Sequence, residues 1–493
     1  MRVVSAHGFL RPLVNELLRR PTRAMIVLQC CTRAFLEQRS AGFEAAQPAR
    51  GLTTDLLQWR NAAEPLVSIV VPVFNQIATT LECLQSVAAA ASDSSKVEIL
   101  VVDDASTDPE AERLRVLPGI TYHRNRVNVG FVGSCNTGAQ LARGRFLVFL
   151  NSDTLVTPGW LEHLIGTLQR RGMGLVGASL RYPDGRLQEA GGLVFADGSG
   201  WNYGRNGHPA DPRYCTRRDS HYCSGAALAV TRERFIALGG FDVRFAPGYY
   251  EDTDLAMRIR ADGARVVYEP EAVVVHLEGA SAGTDTTKGM KAAQVVNRER
   301  FQERWRETLL DAFPAPGTDA DLVIRTGGAA WVVANAGPEP EAYFMEALEA
   351  LVERGCVVDL FLGRPMPEKQ VRLLRSRGVY VWPPTWSATG RWLLLRHGHA
   401  ADGILLDGSP ASLQWMKQVA ADVGPVPRFS LGSEVAPACA GLRSVSGPDE
   451  IVAALGLRGA QSASSPITWR TPSRQLGSLI PKSRSRRPVS KRE

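Results

Sequence analysis

No apolar run in the 493-residue sequence approaches the roughly 18–20 residues that a membrane-spanning helix needs. The best stretch, Ala24 to Cys31, is far too short, which excludes an integral helical membrane protein. Aromatic side chains are scarce at 7%, beside 22% charged and 44% hydrophobic residues. That ordinary balance excludes collagen, coiled coil and a wholly disordered chain. The eight cysteines (Cys30, Cys31, Cys83, Cys135, Cys215, Cys223, Cys356 and Cys439) form no C-x-x-C pair and follow no signal peptide. Reduced thiols in a cytoplasmic protein are therefore expected, with no zinc site.

Charge of one sign is also missing from most of the chain. The net charge is +7, but from Arg458 onward nine Lys/Arg face Glu493 alone. That puts +8 in the tail and leaves −1 for everything before it. A short basic end rich in Ser and Pro is expected to be disordered and solvated, and a body without basic excess is not a nucleic-acid binder. Near the N-terminus, Phe9 to Arg20 is basic and partly amphipathic. It reads either as a helix packed on the following domain or as a membrane-surface helix steered to anionic headgroups.

What is present begins at Val67. Ser68–Phe74, Val97–Val102, Ile120–His123 and Phe146–Leu150 read as strands, the apolar β-branched runs among them as strands buried on both faces. Helical patterns over Thr79–Ala91, Pro109–Leu117 and Val132–Arg143 separate them. This alternation predicts a parallel, doubly wound α/β sheet, whose ligand crevice lies beyond the carboxyl ends of the strands. Acids and amides gather there: Asp103 and Asp104 after one strand, Asn151 and Asp153 after another. Residues 160–240 are glycine-rich and read as an irregular wall for a polar, ring-shaped ligand, carrying Trp201, Tyr203, His208, Tyr214, His221 and Tyr222. The other reading of these aromatics is core. Next, Tyr249-Tyr250-Glu251-Asp252-Thr253-Asp254 places three acids in four residues at the start of a helix. Such acids repel one another unless a cation, a proton or the helix dipole offsets them. Ala272–His276 is a last strand, closing on a lone histidine.

The pieces Val67-Ser-Ile-Val-Val-Pro-Val-Phe-Asn75, Val101-Val-Asp-Asp-Ala-Ser-Thr-Asp108, Asn128-Val-Gly-Phe-Val-Gly-Ser-Cys-Asn-Thr-Gly138, Phe149-Leu-Asn-Ser-Asp153, Gly239-Gly-Phe-Asp242, Tyr250-Glu-Asp-Thr-Asp-Leu255 and Val275-His276 stand in one order. Over about residues 66–310 this order and spacing resemble the family 2 glycosyltransferases of GT-A fold, nearest the rhamnosyltransferase-like, O-antigen type. The resemblance implies a nucleotide pocket lined by Pro72 and Phe74, with Asp103 and Asp104 bonding the base and ribose. It implies a divalent cation, Mg²⁺ or Mn²⁺, on Asn151, Asp153 and His276. Asp252 would be the general base of an inverting transfer, with Glu251, Asp254, Trp201 and Tyr250 on the acceptor side. The departure is Asn151, where the family's D-x-D motif commonly begins with an acid; a neutral amide is a weaker ligand.

Two rivals fail on the letters. A haloacid-dehalogenase-type phosphatase needs D-x-D-x-[TV] after its first strand, and Asn151-Ser-Asp-Thr-Leu lacks the nucleophilic carboxylate. A dinucleotide dehydrogenase needs G-x-G-x-x-G, which Gly130-Phe-Val-Gly133 does not supply.

Beyond a Pro/Gly-rich linker (Pro314 to Gly317), strands are expected at Trp331–Asn335, Val357–Leu362, Val379–Trp382 and Gly403–Asp407, with helices at Glu341–Arg354 and Glu368–Arg377. This is a smaller Rossmann-like α/β domain, similar to the N-terminal half of GT-B glycosyltransferases, with no acid cluster or phosphate loop. The expected organisation is an N-terminal segment at 1–64, a GT-A domain at 65–312, the Rossmann-like domain at 320–457 and the tail at 458–493. The expected activity is transfer of rhamnose or a hexose from a dTDP- or UDP-linked donor to a glycan or lipid-linked glycan. The setting is cytoplasmic, with peripheral contact at the inner membrane face. The alternative is a catalytically weak, sugar-nucleotide-binding scaffold subunit of a polysaccharide pathway.

Overall fold

A computed structural model of the chain describes residues 29, 32–34, 36, 58–91, 93–277, 289–337, 340–423, 425–431 and 442–455. The amphipathic stretch Phe9 to Arg20 and the basic tail from Arg458 lie outside them. No helix among the described residues is long and apolar enough to cross a membrane. The five described cysteines with assigned surroundings, Cys83, Cys135, Cys215, Cys223 and Cys356, are free thiols.

The first sheet has ten strands: β1 (Val67–Val73), β2 (Val97–Asp103), β3 (Thr121–Arg124), β4 (Phe146–Leu150), β5 (Thr154–Val156), β6 (Met173–Arg181), β7 (Leu187–Glu189), β10 (Arg218–Asp219), β11 (Ala227–Thr231) and β12 (Arg265–His276). A separate hairpin pairs β8 (Gly192–Val194) with β9 (Gly200–Asn202). Every residue of β1, β2 and β4 is buried, because helices Ile77–Ala90 and Gly130–Leu141 and their neighbours cover both faces. Burial on both sides is why these strands are continuous Val/Ile/Leu/Phe runs without alternation. Phe149 shows the packing: its ring centre lies 4.9 Å from Phe235 and 5.0 Å from Phe241. Truncating such a ring costs about 3–5 kcal/mol, from lost transfer energy and the cavity left behind.

The order along the sheet is β10-β12-β6-β11-β4-β1-β2-β3. The expected parallel arrangement holds for β3, β2, β1 and β4. It fails at β11, which runs antiparallel to both β4 and β6, so the sheet is mixed. Ala-Leu-Ala-Val-Thr reads the same whichever way it runs, since direction is set by the chain's route and not by the strand's letters.

The second correction concerns residues 160–240. The irregular wall is in large part regular: helix Trp160–Leu168, the nine-residue β6, and β7 through β11. The glycines there serve close packing. A Cβ on Gly177 would sit 2.1 Å from that of Cys223, and one on Gly174 would sit 2.4 Å from Ile259. Glycine in a strand can mark such a close approach as readily as a turn.

The second sheet holds β13 (Trp331–Ala336), β14 (Val357–Leu362), β15 (Val379–Trp382), β16 (Gly403–Leu406), β17 (Arg428–Leu431) and β18 (Leu442–Val445). Its order is β15-β14-β13-β16-β17-β18, all parallel. That is the 3-2-1-4-5-6 order of doubly wound dinucleotide-type sheets. The short helix Ala320–Thr326 ties the two sheets together. Its Asp321 accepts from Tyr203 Oη at 2.6 Å and pairs with Arg213 at 3.0 Å, while Val323 and Ile324 pack with Tyr203, Tyr214, Tyr268 and Tyr380.

Candidate active site

Three loops beyond the strand ends build the site. At the end of β1, Phe74 is 47% exposed, whereas Pro72 is buried within the strand. Asn75 and Gln76 follow in the left-handed region (φ 57° and 54°), a conformation uncommon outside glycine. The turn is held by its neighbour: Asn75 Oδ1 accepts from Thr107 N and Asp108 N at 2.8 and 3.0 Å, and Ser106 Oγ accepts from Asn75 N at 2.8 Å. A cavity of about 410 Å³ opens here, lined by Asn75, Gln76, Ile77, Ala78, Thr107, Asp108 and Pro109. That volume is within the range of small-ligand sites.

Asp103 and Asp104 are both buried, and both carry structural duties that the sequence alone did not reveal. Asp103 accepts from Ser106 N at 2.8 Å, from Tyr122 Oη at 2.6 Å and from Arg124. Burial pushes its pKa up, but Ser106, Tyr122 and Arg124 outweigh that and hold the carboxyl below its ordinary range. Asp104 accepts from Asn125 Nδ2, Val129 N and Gly130 N at 2.8–2.9 Å, and so fixes the entry to helix Gly130–Leu141. With about four lone-pair sites on a carboxylate, three donors leave one for an outside group. Their expected contact with a nucleotide is thereby reduced to one acceptor site each.

The second loop follows β4. Asn151 N donates to Ala226 O, and Asn151 O accepts from Thr154 Oγ1. Its side-chain Oδ1 is buried without a hydrogen-bond partner. Asp153 lies next to the end of β12, where Leu277 N donates to Asp153 O at 2.9 Å. This brings His276 Nε2 to 3.2 Å from Asp153 Oδ1, with His276 Nδ1 2.9 Å from Gln188 Oε1. When Nδ1–H donates to Gln188, Nε2 and the carboxylate oxygen face each other as two acceptors, which a proton or a cation between them reconciles. Among the described residues no group of three His, Cys, Asp or Glu converges as a complete metal cage. One carboxylate and one imidazole, with an unsatisfied amide oxygen two residues away, suit a cation that keeps open positions. That is how Mg²⁺ is commonly held, through one or two carboxylates plus substrate phosphates.

The third loop leads into helix Glu251–Ala261. Tyr249 and Tyr250 are both left-handed (φ 72° and 70°), a strained choice for bulky residues. Asn297, buried on the helix Gly289–Ala312, holds the turn through Nδ2, which reaches Phe245 O, Gly248 O and Tyr249 O at 2.8–3.1 Å. Tyr250 Oη donates to Gly198 O at 3.0 Å, and its ring packs on Phe301. The β8–β9 hairpin thus touches Tyr250 while its Trp201 stands 55% exposed.

Asp252 is the pivot of this loop. Its Oδ2 accepts from Gly225 N at 2.9 Å, and its Oδ1 from Thr253 N at 2.6 Å and Thr253 Oγ1 at 3.1 Å. Burial raises its pKa despite those donors. Beside it Glu251 is buried, with Oε2 lacking a hydrogen-bond partner. Burial, and then the Asp252 charge, pushes Glu251 well above the carboxylate range.

Asp254 departs from expectation. It is fully buried, paired with Arg258 at 2.7 Å and Arg304 at 3.2 Å, and accepts from Trp305 Nε1. It anchors the helix Gly289–Ala312, and its carboxylate is taken up within the chain. The aromatic wall is corrected likewise: Tyr203, His208, Tyr214, His221 and Tyr222 are core, and Trp201 alone of that group is exposed. Sequence reasoning missed Gln188 and Asn297. Gln188 sits in a three-residue strand too short to show alternation, and Asn297 sits on a helix whose face no periodicity marks.

Residues 68–230 match the sequence model of Glycosyl transferase family 2. The chain is similar to the O-antigen biosynthesis protein RfbC of Myxococcus xanthus, 34% identical over 230 residues, covering 45% of this chain and 18% of that one. It is also similar to an N-acetylglucosaminyl-diphospho-decaprenol L-rhamnosyltransferase of Mycobacterium tuberculosis, 28% identical over 242 residues, covering 43% of this chain and 78% of that one. An uncharacterized protein, y4gI of Sinorhizobium fredii, is 29% identical over 261 residues, half of this chain and 28% of its own length. The chain therefore spans less than a third of two of these relatives. Among solved structures, GalNAc-T7 with UDP, GalNAc and Mn²⁺ aligns at a TM-score of 0.41 and 20% identity, over 50% of this chain and 49% of that one.

Proposed function

We propose that this chain is an inverting glycosyltransferase. It moves rhamnose or a hexose from a dTDP- or UDP-linked donor to a hydroxyl of a glycan or lipid-linked glycan in cell-surface polysaccharide synthesis. The observation that carries the reading is Asp252: a partly open carboxylate, pinned by Gly225 N and Thr253, with its pKa raised by burial. A base is most effective when its pKa approaches the working pH. The names of the rhamnosyltransferase and O-antigen relatives support the choice of sugar and setting.

In this reading the donor's base and ribose lie across the β1 and β2 loops, against Phe74 and the one remaining acceptor site on each of Asp103 and Asp104. Asp153 and His276, with the Asn151 amide oxygen, would hold Mg²⁺ or Mn²⁺, which when bound offsets the charge of the diphosphate. The acceptor enters beneath the hairpin carrying Trp201, and its hydroxyl gives its proton to Asp252 as the oxygen attacks the anomeric carbon and the bond from that carbon to the diphosphate oxygen breaks, releasing the nucleoside diphosphate. A single base without a covalent nucleophile means one displacement and inversion. Burial and the neighbouring Asp252 disfavour a charge on Glu251, which limits repulsion of the diphosphate. The basic N-terminal stretch and tail would keep the enzyme at the inner membrane face, where lipid-linked acceptors lie.

The test is thermal stabilisation of the full chain by UDP, dTDP and GDP, each with and without Mn²⁺, followed by transfer assays with the matching sugar nucleotides. Stabilisation by one nucleotide that requires metal supports the reading. A folded protein that responds to none of them overturns it in favour of a scaffold.

A further inference from the structure

Glu189 belongs to no part of the site described so far. It closes β7, opposite Leu180 of β6, and is buried to 1% exposure. Its Oε1 accepts from Ser224 N at 2.9 Å, while the next amide along, Gly225 N, donates to Asp252 Oδ2 at the same distance. Two carboxyls from distant parts of the sequence therefore hang on successive N–H groups of one turn, the turn that leads into β11.

We propose that Glu189 is a positioning residue for Asp252: by gripping Ser224 N it fixes the 224–225 turn whose next amide holds the base, and it places a second carboxyl within reach of the base's charge. This rests on the reading of Asp252 as the general base. The groups facing Glu189 are Asp252 from the helix start, Arg218 and Arg205 from the segment before the turn, and Tyr222 and Cys223 within it. Burial, with a smaller contribution from the Asp252 charge, pushes Glu189 up to about 8, and Ser224 N and the two arginines offset only part of that. Two close carboxyls titrate as a pair, the second proton leaving late because the first charge is already there. At neutral pH Glu189 then keeps its proton, and the turn stays seated.

Difference infrared spectra of the full chain against Glu189→Gln test this without any substrate. The wild-type-minus-Glu189→Gln difference should show a protonated-carboxyl band that disappears with a midpoint near pH 8, and the same difference taken in the Asp252→Asn background should have its midpoint at lower pH. A midpoint that stays put in Asp252→Asn overturns the proposal, because the two carboxyls would then not sense each other. Kinetics supply the second measurement, with UDP-glucose and dTDP-rhamnose as donors. Glu189→Ala should lose about tenfold or more in kcat with the donor KM held, Glu189→Gln should recover part of that, and the alkaline change in the wild-type pH profile should vanish in Glu189→Gln. An identical profile in wild type and Glu189→Gln overturns the proposal. Persistent infrared coupling without turnover of either donor supports the paired turn and counts against the functional reading instead.

Discussion

The two sheets of this chain treat their acids in opposite ways. In the second sheet, Asp359 lies in the middle of β14, fully buried, and accepts from Arg325 Nε and Nη2 at 3.1–3.2 Å and from Trp331 and Trp382 Nε1 at 2.7–2.8 Å. Four donors use up a carboxylate's lone pairs, so Asp359 can only be structural. At the end of β16, Asp407 is likewise taken by Gly337 N and by Ser409 N and Oγ. At the strand ends of the first sheet, by contrast, some acceptor atoms stay unused: Asn151 Oδ1 and Glu251 Oε2 have no hydrogen-bond partner. Unspent acceptor capacity at strand ends, more than the presence of acids, separates the reactive region from the scaffold.

The largest effect that would sharpen this contrast is on turnover. Asp252→Asn should lower transfer by about 10²–10⁴-fold while nucleotide-induced stabilisation persists. Asp407→Asn should leave transfer within about twofold. Equal losses in both would erase the distinction between the regions. Next in size is a stability effect confined to the second sheet. Asp359→Ala strands the buried Arg325 charge and should cost about 3–5 kcal/mol in urea unfolding, with the nucleotide dependence of the first sheet intact.

Smaller still is the linkage at the open acids. A nucleotide at a hundredfold excess over its dissociation constant adds about 2.7 kcal/mol of stability. Asp153→Asn should remove the part of that gain that needs Mn²⁺, and a gain of unchanged metal dependence would take the cation away from Asp153 and His276. The smallest effect is expected at Asn297→Ala. Losing the amide that holds the Phe245–Tyr249 turn should cost about 1–3 kcal/mol and slow turnover, as the left-handed tyrosines relax. A variant with wild-type kinetics would mean that this turn does not shape the site.

Much of the fold was legible because both-face burial forces continuous apolar runs. β4, β14 and β15 fall on their expected bounds, and β1 and β2 within a residue of theirs. β6 and β11 were not legible. Their stretch reads as glycine-rich and irregular, whereas Gly174 and Gly177 lie in β6 with Ile259 and Cys223 packed against them. The candidate site was legible as a set of acids, not as a set of roles. Asp252, Asp254, Asp103 and Asp104 look alike in the sequence, yet Asp254 is consumed by Arg258, Arg304 and Trp305, and Asp103 and Asp104 are largely spent on their own loops.

What the sequence determined by itself is which residue types arrive at the strand ends, because strand periodicity and loop length are local properties. What only the tertiary structure decided is which of those groups keep capacity for something outside the chain. Hydrogen-bond satisfaction depends on partners from distant segments: Gln188 accepting from His276, Gly225 N donating to Asp252, Ser224 N donating to Glu189. Neither burial nor the pKa shifts that follow from it can be summed along the chain, because each requires the neighbours to be in place.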